Sequence, residues 1–501
     1  MFETKKVFTY LIFGAFLISG FSYAQSEDLA EKSRRGKQAM AAQRYDEAIS
    51  IYSELVRALP NEAGLRLNLG LAYSMADQPQ KAIPQLEAAV KLQPNLVPAL
   101  LVLGSSHLDL GTPGKAIGPL QKVIAAQPGN KDARHMLADA FLSLERYEQA
   151  AAQFQALTQV DSQNPRIWYG LGRSYEALSN RSFDQIERMD PESPYLMLLA
   201  AEVLIQKKRY SNAFSLYRQA LNKLPKARFI HEALAEIYRK TGHPDWAVQE
   251  ENKARQLAPP DCGAPTPECS YLAGRDQDVV AAAKDKKTAA AYYWSARAHN
   301  RLALQSFSHL GQLPPSVEQH ELAAEIHSAQ GRYPEAVREL REALKLSPGE
   351  LSIQKRLAEA LYQSLDLQAA QPLLEDLLKR ERGSAELNFL YGDTLLQSQQ
   401  VEKAIPYLRE AVKYDPRLLP AQASLGRAYL QIGKAQDAIP YLKEALQTDT
   451  DGSLHYQLAR AYQSAGQAEL SKQMMQKSRE IQKSADAEQQ KLEQEIKITP
   501  P

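Results

Sequence analysis

The chain is 501 residues long, which would suggest roughly three or four globular domains unless it is built from repeats that contact only their neighbours. Its 60 Lys and Arg residues almost balance its 59 Asp and Glu residues. It therefore lacks the basic excess that is typical of nucleic-acid-binding proteins, and we expect no nucleic-acid partner.

The first 24 residues, Met1–Ala24, have the features of a secretory signal peptide. Lys5 and Lys6 precede an apolar stretch at residues 7–21, and Ser22-Tyr23-Ala24 is a small-x-small cleavage site. Cleavage after Ala24 would place the protein in the periplasm or outside the cell, with no transmembrane segment left. The alternative is an uncleaved membrane anchor, although the apolar stretch is shorter than the roughly 20 residues that span a bilayer.

The rest of the chain shows a pattern that returns every 34 residues. It is clearest at residues 385–418, AELNFLYGDTLLQSQQVEKAIPYLREAVKYDPRL, where two short helices are joined by a turn. Gly392 and Ala411 are small at the expected helix crossings, and Pro416 ends the second helix because it has no N–H to donate. The same marks return 34 residues later at Gly426, Tyr429, Ala438 and Ala445.

This combination of fixed period, small residues at crossings and a proline at the exit resembles the tetratricopeptide repeat. The resemblance implies an all-α fold, a right-handed α-solenoid of stacked helix-turn-helix units. It also implies a role in binding other proteins or peptides in a concave groove that the first helix of each unit lines. Some members hold a C-terminal carboxylate with Lys and Asn on this helix face. The matching positions here are largely Glu and Asp, so we do not carry that activity over.

The repeat pattern divides the chain into six segments. They are a signal peptide (1–24), an N-terminal array of four repeats (25–164), a shortened unit followed by two repeats (165–261), an irregular centre with a cysteine-containing loop and a second shortened unit (262–316), a C-terminal array of five repeats (317–485) and a polar tail (486–501). We expect the tail to be a helix that frays.

The two shortened units resemble each other. Tyr169 matches Tyr293 and Phe183 matches Phe307, and each unit precedes a regular repeat that contains Arg-Tyr. We interpret this as the duplication of a block about 124 residues long, the alternative being a chance likeness of two degenerate repeats. In the first copy, residues 182–186 occupy the place of a full second helix.

Cys262 and Cys269 are the only two cysteines. An even pair so closely spaced in an exported protein favours a disulfide. Free thiols are the first alternative. A metal site is the second, but it would need two further ligands, and no His or Cys has a useful spacing nearby. We therefore predict no metal ion.

Motifs of catalysis and cofactor binding are absent from the sequence. It has no Gly-rich phosphate loop, no His-Glu-x-x-His and no Gly-x-Ser-x-Gly, and its nine His residues are scattered. An enzyme needs convergent polar groups, so we expect a protein without catalytic activity or cofactor. The remaining alternative is an enzyme whose site lies in the irregular centre.

The candidate binding face follows from the repeat. The ninth residue of successive units lies one helical turn from the fifth, on the same face, and the sequence places charged residues and aromatic residues at these two positions. The predicted groove residues are Tyr169, Arg173, Glu202, Glu236, Tyr293, Arg297, Glu325, Glu359, Phe389, Asp393, Arg427, Tyr456 and Arg460. Aromatic side chains beside charges suit an extended peptide or a partner helix. Alternatively, these residues are a solvated face or form salt bridges between neighbouring helices.

Two functional hypotheses follow for an exported repeat protein of this kind. The first is a non-enzymatic scaffold of the periplasm or cell envelope that binds partner proteins. The second is an accessory subunit of an envelope export or polysaccharide-secretion complex, in which any pore would be a separate polypeptide.

Overall fold

A computed structural model describes residues 23–263, 266–284, 286–495 and 497–501. Over these residues the secondary structure is 26 α-helices and one short 3-10 helix, without a strand. The predicted all-α solenoid of helical pairs is therefore confirmed. No helix in this part of the chain is long and apolar enough to cross a membrane. The predicted signal peptide lies outside the described residues except for Tyr23 and Ala24.

The chain divides into two compact units, each formed by two separate segments. Unit 1 combines the residues up to Pro191 with Pro260–Leu313, and unit 2 combines Glu192–Pro259 with Pro314–Pro501. The helices of unit 1 are α1 (Tyr23–Ala41), α2 (Tyr45–Ala58), α3 (Ala63–Met75), α4 (Pro79–Leu92), α5 (Val97–Asp109), α6 (Pro113–Ala126), α7 (Lys131–Ser143), α8 (Tyr147–Thr158), α9 (Pro165–Met189), α14 (Pro267–Leu272), α15 (Asp276–Ala283) and α16 (Ala289–Gln312).

Unit 2 contains the remaining helices. They are α10 (Pro194–Gln206), α11 (Tyr210–Lys223), α12 (Arg228–Lys240), α13 (Pro244–Gln256), α17 (Val317–Ala329), α18 (Tyr333–Leu346), α19 (Leu351–Gln363), α20 (Leu367–Arg380), α21 (Ala385–Gln397), α22 (Val401–Tyr414), α23 (Leu419–Gln431), α24 (Ala435–Ala445), α25 (Ser453–Ser464) and α26 (Ala468–Glu495). Within the predicted segment 165–261, the shortened unit lies in unit 1 and the two repeats lie in unit 2.

Small residues allow the two helices of a repeat to approach closely. A Cβ atom at Gly70 would lie 2.6 Å from Leu86 Cγ, and one at Gly392 would lie 2.8 Å from Leu408 Cγ. At each glycine, a leucine side chain of the second helix therefore occupies the space that a Cβ atom would need. Ala411 is likewise completely buried, as the repeat pattern predicts.

A polar contact recurs between the two helices of a repeat. It joins the fourth residue of the first helix to a residue 19 positions later on the second helix. The measured contacts are Arg134 Nη1 to Gln153 Oε1 at 3.0 Å, His231 Nδ1 to Glu250 Oε2 at 2.5 Å and His320 Nδ1 to Glu339 Oε2 at 2.7 Å. The spacing is the same although the residue types differ, so it reports the common geometry of the hairpins.

The two shortened units pack against each other in unit 1. Each is one long helix, α9 or α16, and the two run antiparallel: Trp168 stacks on His309 near one end, and Ser179 donates to the Ala296 carbonyl near the other at 3.0 Å. Residues 182–186 continue α9 and do not form a separate short element. Helix α16 therefore supplies the partner that a second helix provides in a regular repeat.

The irregular centre forms a short hairpin beside α16. Gly274 provides the turn between α14 and α15 with a φ of +72°, a conformation that glycine adopts without steric cost. Cys262 and Cys269 are joined by a disulfide, with their Cα atoms 5.6 Å apart. The predicted cysteine pairing therefore occurs in this segment.

The C-terminal helix extends beyond the last predicted repeat. Helix α26 continues from Ala468 to Glu495, so most of the predicted polar tail is helical. The final residues, Lys497–Pro501, are not helical. Pro500 and Pro501 fix their own φ angles and have no N–H group to donate to a helix.

Candidate functional site

The second, fifth and ninth residues of a first helix share one face, because successive spacings of three and four residues return to the same side. This face contains the predicted groove residues, and in α25, which begins one position later in its repeat, Tyr456 and Arg460 are the fourth and eighth residues of the helix. The structure gives it different surroundings in unit 1, in helices α10 and α12, and in the array from α17 to α25.

In unit 1 the predicted Tyr293 and Arg297 lie together. The guanidinium carbon of Arg297 is 5.5 Å from the Tyr293 ring centroid, 5.2 Å from that of Trp294 and 4.4 Å from that of Tyr271. Tyr293 is only 1% exposed. Such cation–π contacts stabilise a folded hairpin, so this pair packs α16 against α14.

A neighbouring arginine strengthens the same packing. Arg301 Nε donates to both oxygens of Asp276, at 2.7 and 2.9 Å, and Arg301 also donates to the Tyr271 carbonyl at 2.8 Å. Asp276 is 5% exposed. A bidentate Arg–carboxylate pair of this kind fixes geometry as well as energy, so the irregular centre uses its charged residues to join its helices.

The other predicted residues of unit 1 and of helices α10 and α12 are less deeply buried. Arg173 Nη1 donates to Glu176 Oε2 at 2.7 Å within α9, and Tyr169 on the same helix is half-buried. Glu202 on α10 is half-buried and Glu236 on α12 is exposed. Arg173 therefore has an ion-pair partner on its own helix, and the two glutamates belong to unit 2.

Unit 2 brings several carboxylates together on the first helices α17 and α19. Arg356 Nη1 donates to Glu321 Oε1 at 3.0 Å, and its Nη2 is 4.0 Å from Glu325. Burial raises the pKa of Glu321. The Arg356 guanidinium opposes this rise, while the charges of Glu318 and Glu350 add to it. Arg356 therefore interacts with more than one carboxylate.

The acidic group continues along the next two first helices. Burial raises the pKa of Glu359, the negative charge of Glu386 on α21 raises it further, and Arg356 opposes both effects. The Glu359 and Glu386 side chains still reach solvent, so the burial of Glu359 is partial. We call Glu321, Glu325, Glu359 and Glu386 the acidic face. Ionised carboxylates here repel one another, so a positively charged group would be attracted to them.

Asp393 occupies the ninth position of α21 and is buried. It accepts hydrogen bonds from Tyr362 Oη at 2.8 Å, Gln397 Nε2 at 2.6 Å, Ser424 Oγ at 2.5 Å and Arg427 Nη2 at 3.0 Å. Burial and the Asp393 carboxylate raise the pKa of Tyr362 well above its ordinary value. The predicted Asp393 and Arg427 thus form a salt bridge between neighbouring first helices, which was the alternative to a binding role.

The remaining predicted residues lie further along this array. Phe389 packs edge-on against Tyr362, with ring centroids 6.2 Å apart. Tyr456 is 46% exposed and Arg460 is exposed. The array therefore presents an acidic stretch, a buried ion pair and an exposed tyrosine with an arginine, in that order along the chain.

Metal binding has no support in this arrangement. Among the residues that the structure describes, no group of three or more His, Cys, Asp or Glu side chains is placed to hold a metal ion.

Comparison with protein families agrees with the helical pairs. Models described as tetratricopeptide repeat match residues 39–103, 107–175, 177–229, 327–388, 363–429 and 419–451. Together these matches span well over half of the chain. The chain belongs to the tetratricopeptide repeat superfamily. The repeat architecture that the sequence predicts is therefore confirmed.

Solved structures that resemble part of the chain include several named MamA. "MamA MSR-1 C2" is 22% identical over 34% of this chain and 98% of its own, with a TM-score of 0.30. "MamA 41-end from Desulfovibrio magneticus RS-1" is 21% identical over 34% and 97%, with a TM-score of 0.31. Scores this low carry no argument about function. No curated protein matches the chain.

Sequence reasoning missed two features of the tetratricopeptide repeat units. It did not pair α9 with α16, although the likeness of the two shortened units was visible. It also identified the fifth and ninth positions of each unit without the second, so Glu386 was not included, and it selected only aromatic residues at the fifth position, so Glu321 was not included. A search of all positions on the same helix face would have found both.

Proposed function

We propose that this chain is a non-enzymatic scaffold of the bacterial cell envelope, and that its acidic face binds a basic, extended segment of a partner protein. Tetratricopeptide repeats mediate protein–protein interactions, and the proposal adds the location, the face and the chemistry of the partner. The observation that carries it is the group of carboxylates, Glu321, Glu325 and Glu359, whose charges meet at Arg356.

The charge pattern supports a basic ligand. Glu359 ionises less readily than an ordinary glutamate because burial and Glu386 oppose its negative charge. A lysine or arginine of a partner would relieve this repulsion and form hydrogen bonds with the carboxylates. An acidic partner would meet added repulsion, so the face discriminates by charge.

The envelope location rests on the residues of the predicted signal peptide, and a separate experiment tests it. We expect the chain produced with residues 1–24 to be recovered from the periplasmic or extracellular fraction with Gln25 as its first residue, as measured by mass spectrometry of the intact protein. Recovery of the uncut chain in the cytoplasm would contradict the location.

The binding of a basic segment can be measured with model peptides. A fluorescein-labelled peptide of alternating Lys and Ala should bind the protein in a fluorescence anisotropy titration, and a peptide of alternating Glu and Ala should not. Raising the salt concentration should weaken binding, because mobile ions screen exposed charges.

Variants of the acidic face give the decisive comparison. Replacing Glu325, Glu359 and Glu386 together by Gln should weaken binding of the Lys-Ala peptide about tenfold, since each exposed ion pair contributes about 0.2–1 kcal/mol. The matched control replaces three glutamates on second helices, Glu342, Glu375 and Glu410, which pair with Lys345, Lys379 and Lys413. Equal losses in both variants would show only a general charge effect and would contradict the proposed face.

A further inference from the structure

The C-terminal end of the chain lies on a helical pair that is far away in sequence. Tyr238 Oη donates a hydrogen bond to the Thr499 carbonyl oxygen, and the two oxygens are 2.6 Å apart. Both residues belong to unit 2. Tyr238 is on α12, the third of the four helices α10–α13. It is completely buried.

Aromatic side chains hold the Tyr238 ring in place. Its centroid is 5.5 Å from that of Phe214 and 5.6 Å from that of Trp246, and Trp246 stacks on His243. Burial raises the pKa of Tyr238 to about 12, and the charge of Glu250 adds to this. The hydroxyl is therefore a protonated donor with a fixed direction. A buried donor of this kind needs an acceptor, and the Thr499 carbonyl supplies one.

The chemistry of the last five residues suits this site. In Lys497-Ile498-Thr499-Pro500-Pro501 the two prolines cannot donate backbone hydrogen bonds, and a proline after Thr499 favours an extended conformation of that residue. Such a segment loses little conformational freedom when it docks, which is why aromatic-lined surfaces recognise proline-containing peptides. At this site the Thr499 carbonyl meets the hydroxyl of Tyr238, whose ring packs against those of Phe214 and Trp246.

We propose that the segment α10–α13 is a docking site for extended, proline-containing peptides, and that Lys497–Pro501 of the same molecule occupies it. The site is distinct from the acidic face, and the inference goes beyond the proposed function because it holds whether or not a basic partner binds elsewhere. A partner that presents a similar peptide must displace the C-terminal segment.

Covalent connection makes the C-terminal segment a strong competitor. A tethered ligand acts at an effective concentration in the millimolar range when its linker matches the distance. Added peptide must overcome that local concentration. The free site should therefore become accessible only when the C-terminal segment is removed or displaced.

Truncation tests the inference directly. The probe is a fluorescein-labelled Lys-Ile-Thr-Pro-Pro peptide with a Gly-Ser spacer, and the two proteins are the full chain and a chain that ends at Ile496. The truncated chain should bind the probe in anisotropy titrations, and the full chain should bind it at least tenfold more weakly. Equal affinities, or no binding to the truncated chain at millimolar peptide, would overturn the proposal.

Tyr238→Phe in the truncated chain tests the contact itself. It keeps the ring packing and removes only the donor, so the affinity for the probe should fall about two- to tenfold. Tyr52→Phe is the matched control, because Tyr52 is also buried with a pKa raised to about 12 but belongs to unit 1. Circular dichroism melts verify that both variants fold. Unchanged affinity in a folded Tyr238→Phe protein would exclude the assigned contact.

Sedimentation distinguishes docking within one molecule from docking between two. The full chain and the truncated chain should both sediment with the mass of one copy. A full chain with twice the mass, which becomes a single copy on truncation, would show that a second copy supplies the segment and would overturn docking within the same molecule.

Discussion

The pattern Tyr-x-x-x-Arg occurs in the shortened unit α16 and in the regular repeat of α25, and the two copies have different surroundings. In α16, Tyr293 is 1% exposed and Arg297 lies over three aromatic rings. In α25, Tyr456 is 46% exposed and Arg460 is exposed. The same two positions therefore stabilise a helix contact in one region and face solvent in the other.

The difference shows that a position in the repeat does not by itself define a binding surface. Where short helices such as α14 and α15 pack beside a first helix, its fifth and ninth residues are used for packing. Where regular repeats stack, these residues are available unless a neighbouring repeat supplies a partner. Asp393 and Arg427 are an example of such pairing within the regular array.

The largest expected effect concerns this buried pair. Asp393→Ala would remove the acceptor of Arg427, Ser424 and Tyr362 together, so we expect the free energy of unfolding to fall by about 3 kcal/mol. Urea unfolding measures the change. The control, Asp437→Ala, alters an exposed residue and should change stability by less than about 0.5 kcal/mol. A similar small change at Asp393 would mean that its hydrogen bonds do not stabilise the array.

The contact between the two shortened units gives the next effect. A Cβ atom at Gly172 would overlap the Phe307 ring, whereas one at Gly118 meets no atom within 4 Å. We expect Gly172→Ala to lower the unfolding free energy by about 2 kcal/mol through overpacking. Gly118→Ala should raise it by up to about 1 kcal/mol through helix propensity. Stabilisation by both substitutions would contradict the close approach of α9 and α16.

Substitution of the arginine of the Tyr-x-x-x-Arg pattern tests the comparison between α16 and α25. Arg297→Ala should cost about 1–2 kcal/mol, because a partly desolvated cation loses its contacts with three rings. Arg460→Ala should change stability by less than about 0.5 kcal/mol. Thermal melts of the two variants provide the measurement. If the two costs are equal, the rings around Arg297 add nothing to its stabilising effect.

Sequence reasoning predicted the regular features because they are local. The positions of Gly392, Ala411 and Pro416 depend on contacts within one hairpin, so a fixed period reveals them. It did not predict that α9 and α16 pair, because that contact joins residues more than 100 positions apart. Nor did it predict the burial of Tyr293, since the rings that surround Arg297 come partly from the irregular α14.

The binding face could be predicted only in part from the sequence. The sequence showed that the first helices in the middle of the chain carry many acids, including Glu325 and Glu359. It could not show that Arg356 serves several of them, or that Asp393 is enclosed by four donors. These facts depend on how neighbouring first helices are spaced.

The smallest expected effect is the pH dependence of the unfolding free energy. Its sign distinguishes a glutamate of the acidic face from an ordinary surface glutamate. The pKa of Glu359 is raised in the folded state by burial and by Glu386. Its contribution to stability is therefore present at acidic pH and lost as the pH rises through the folded-state pKa. Glu359→Gln should make the protein slightly more stable than the parent at pH 7, by less than about 0.5 kcal/mol for a half-exposed group, with no difference at pH 3.

Glu410 on the second helix α22 provides the opposite case. Its hydrogen bond with Lys413 lowers its pKa, so its contribution is present at neutral pH and is lost as the pH falls through the folded-state pKa. Glu410→Gln should therefore be less stable than the parent at pH 7 and equal to it at low pH. Urea unfolding of both variants at pH 3 and pH 7 makes the comparison. If both substitutions changed the unfolding free energy at pH 7 in the same direction, the negative charge of Glu359 would be stabilised by its surroundings as that of Glu410 is by Lys413. The argument for a basic partner would then fail.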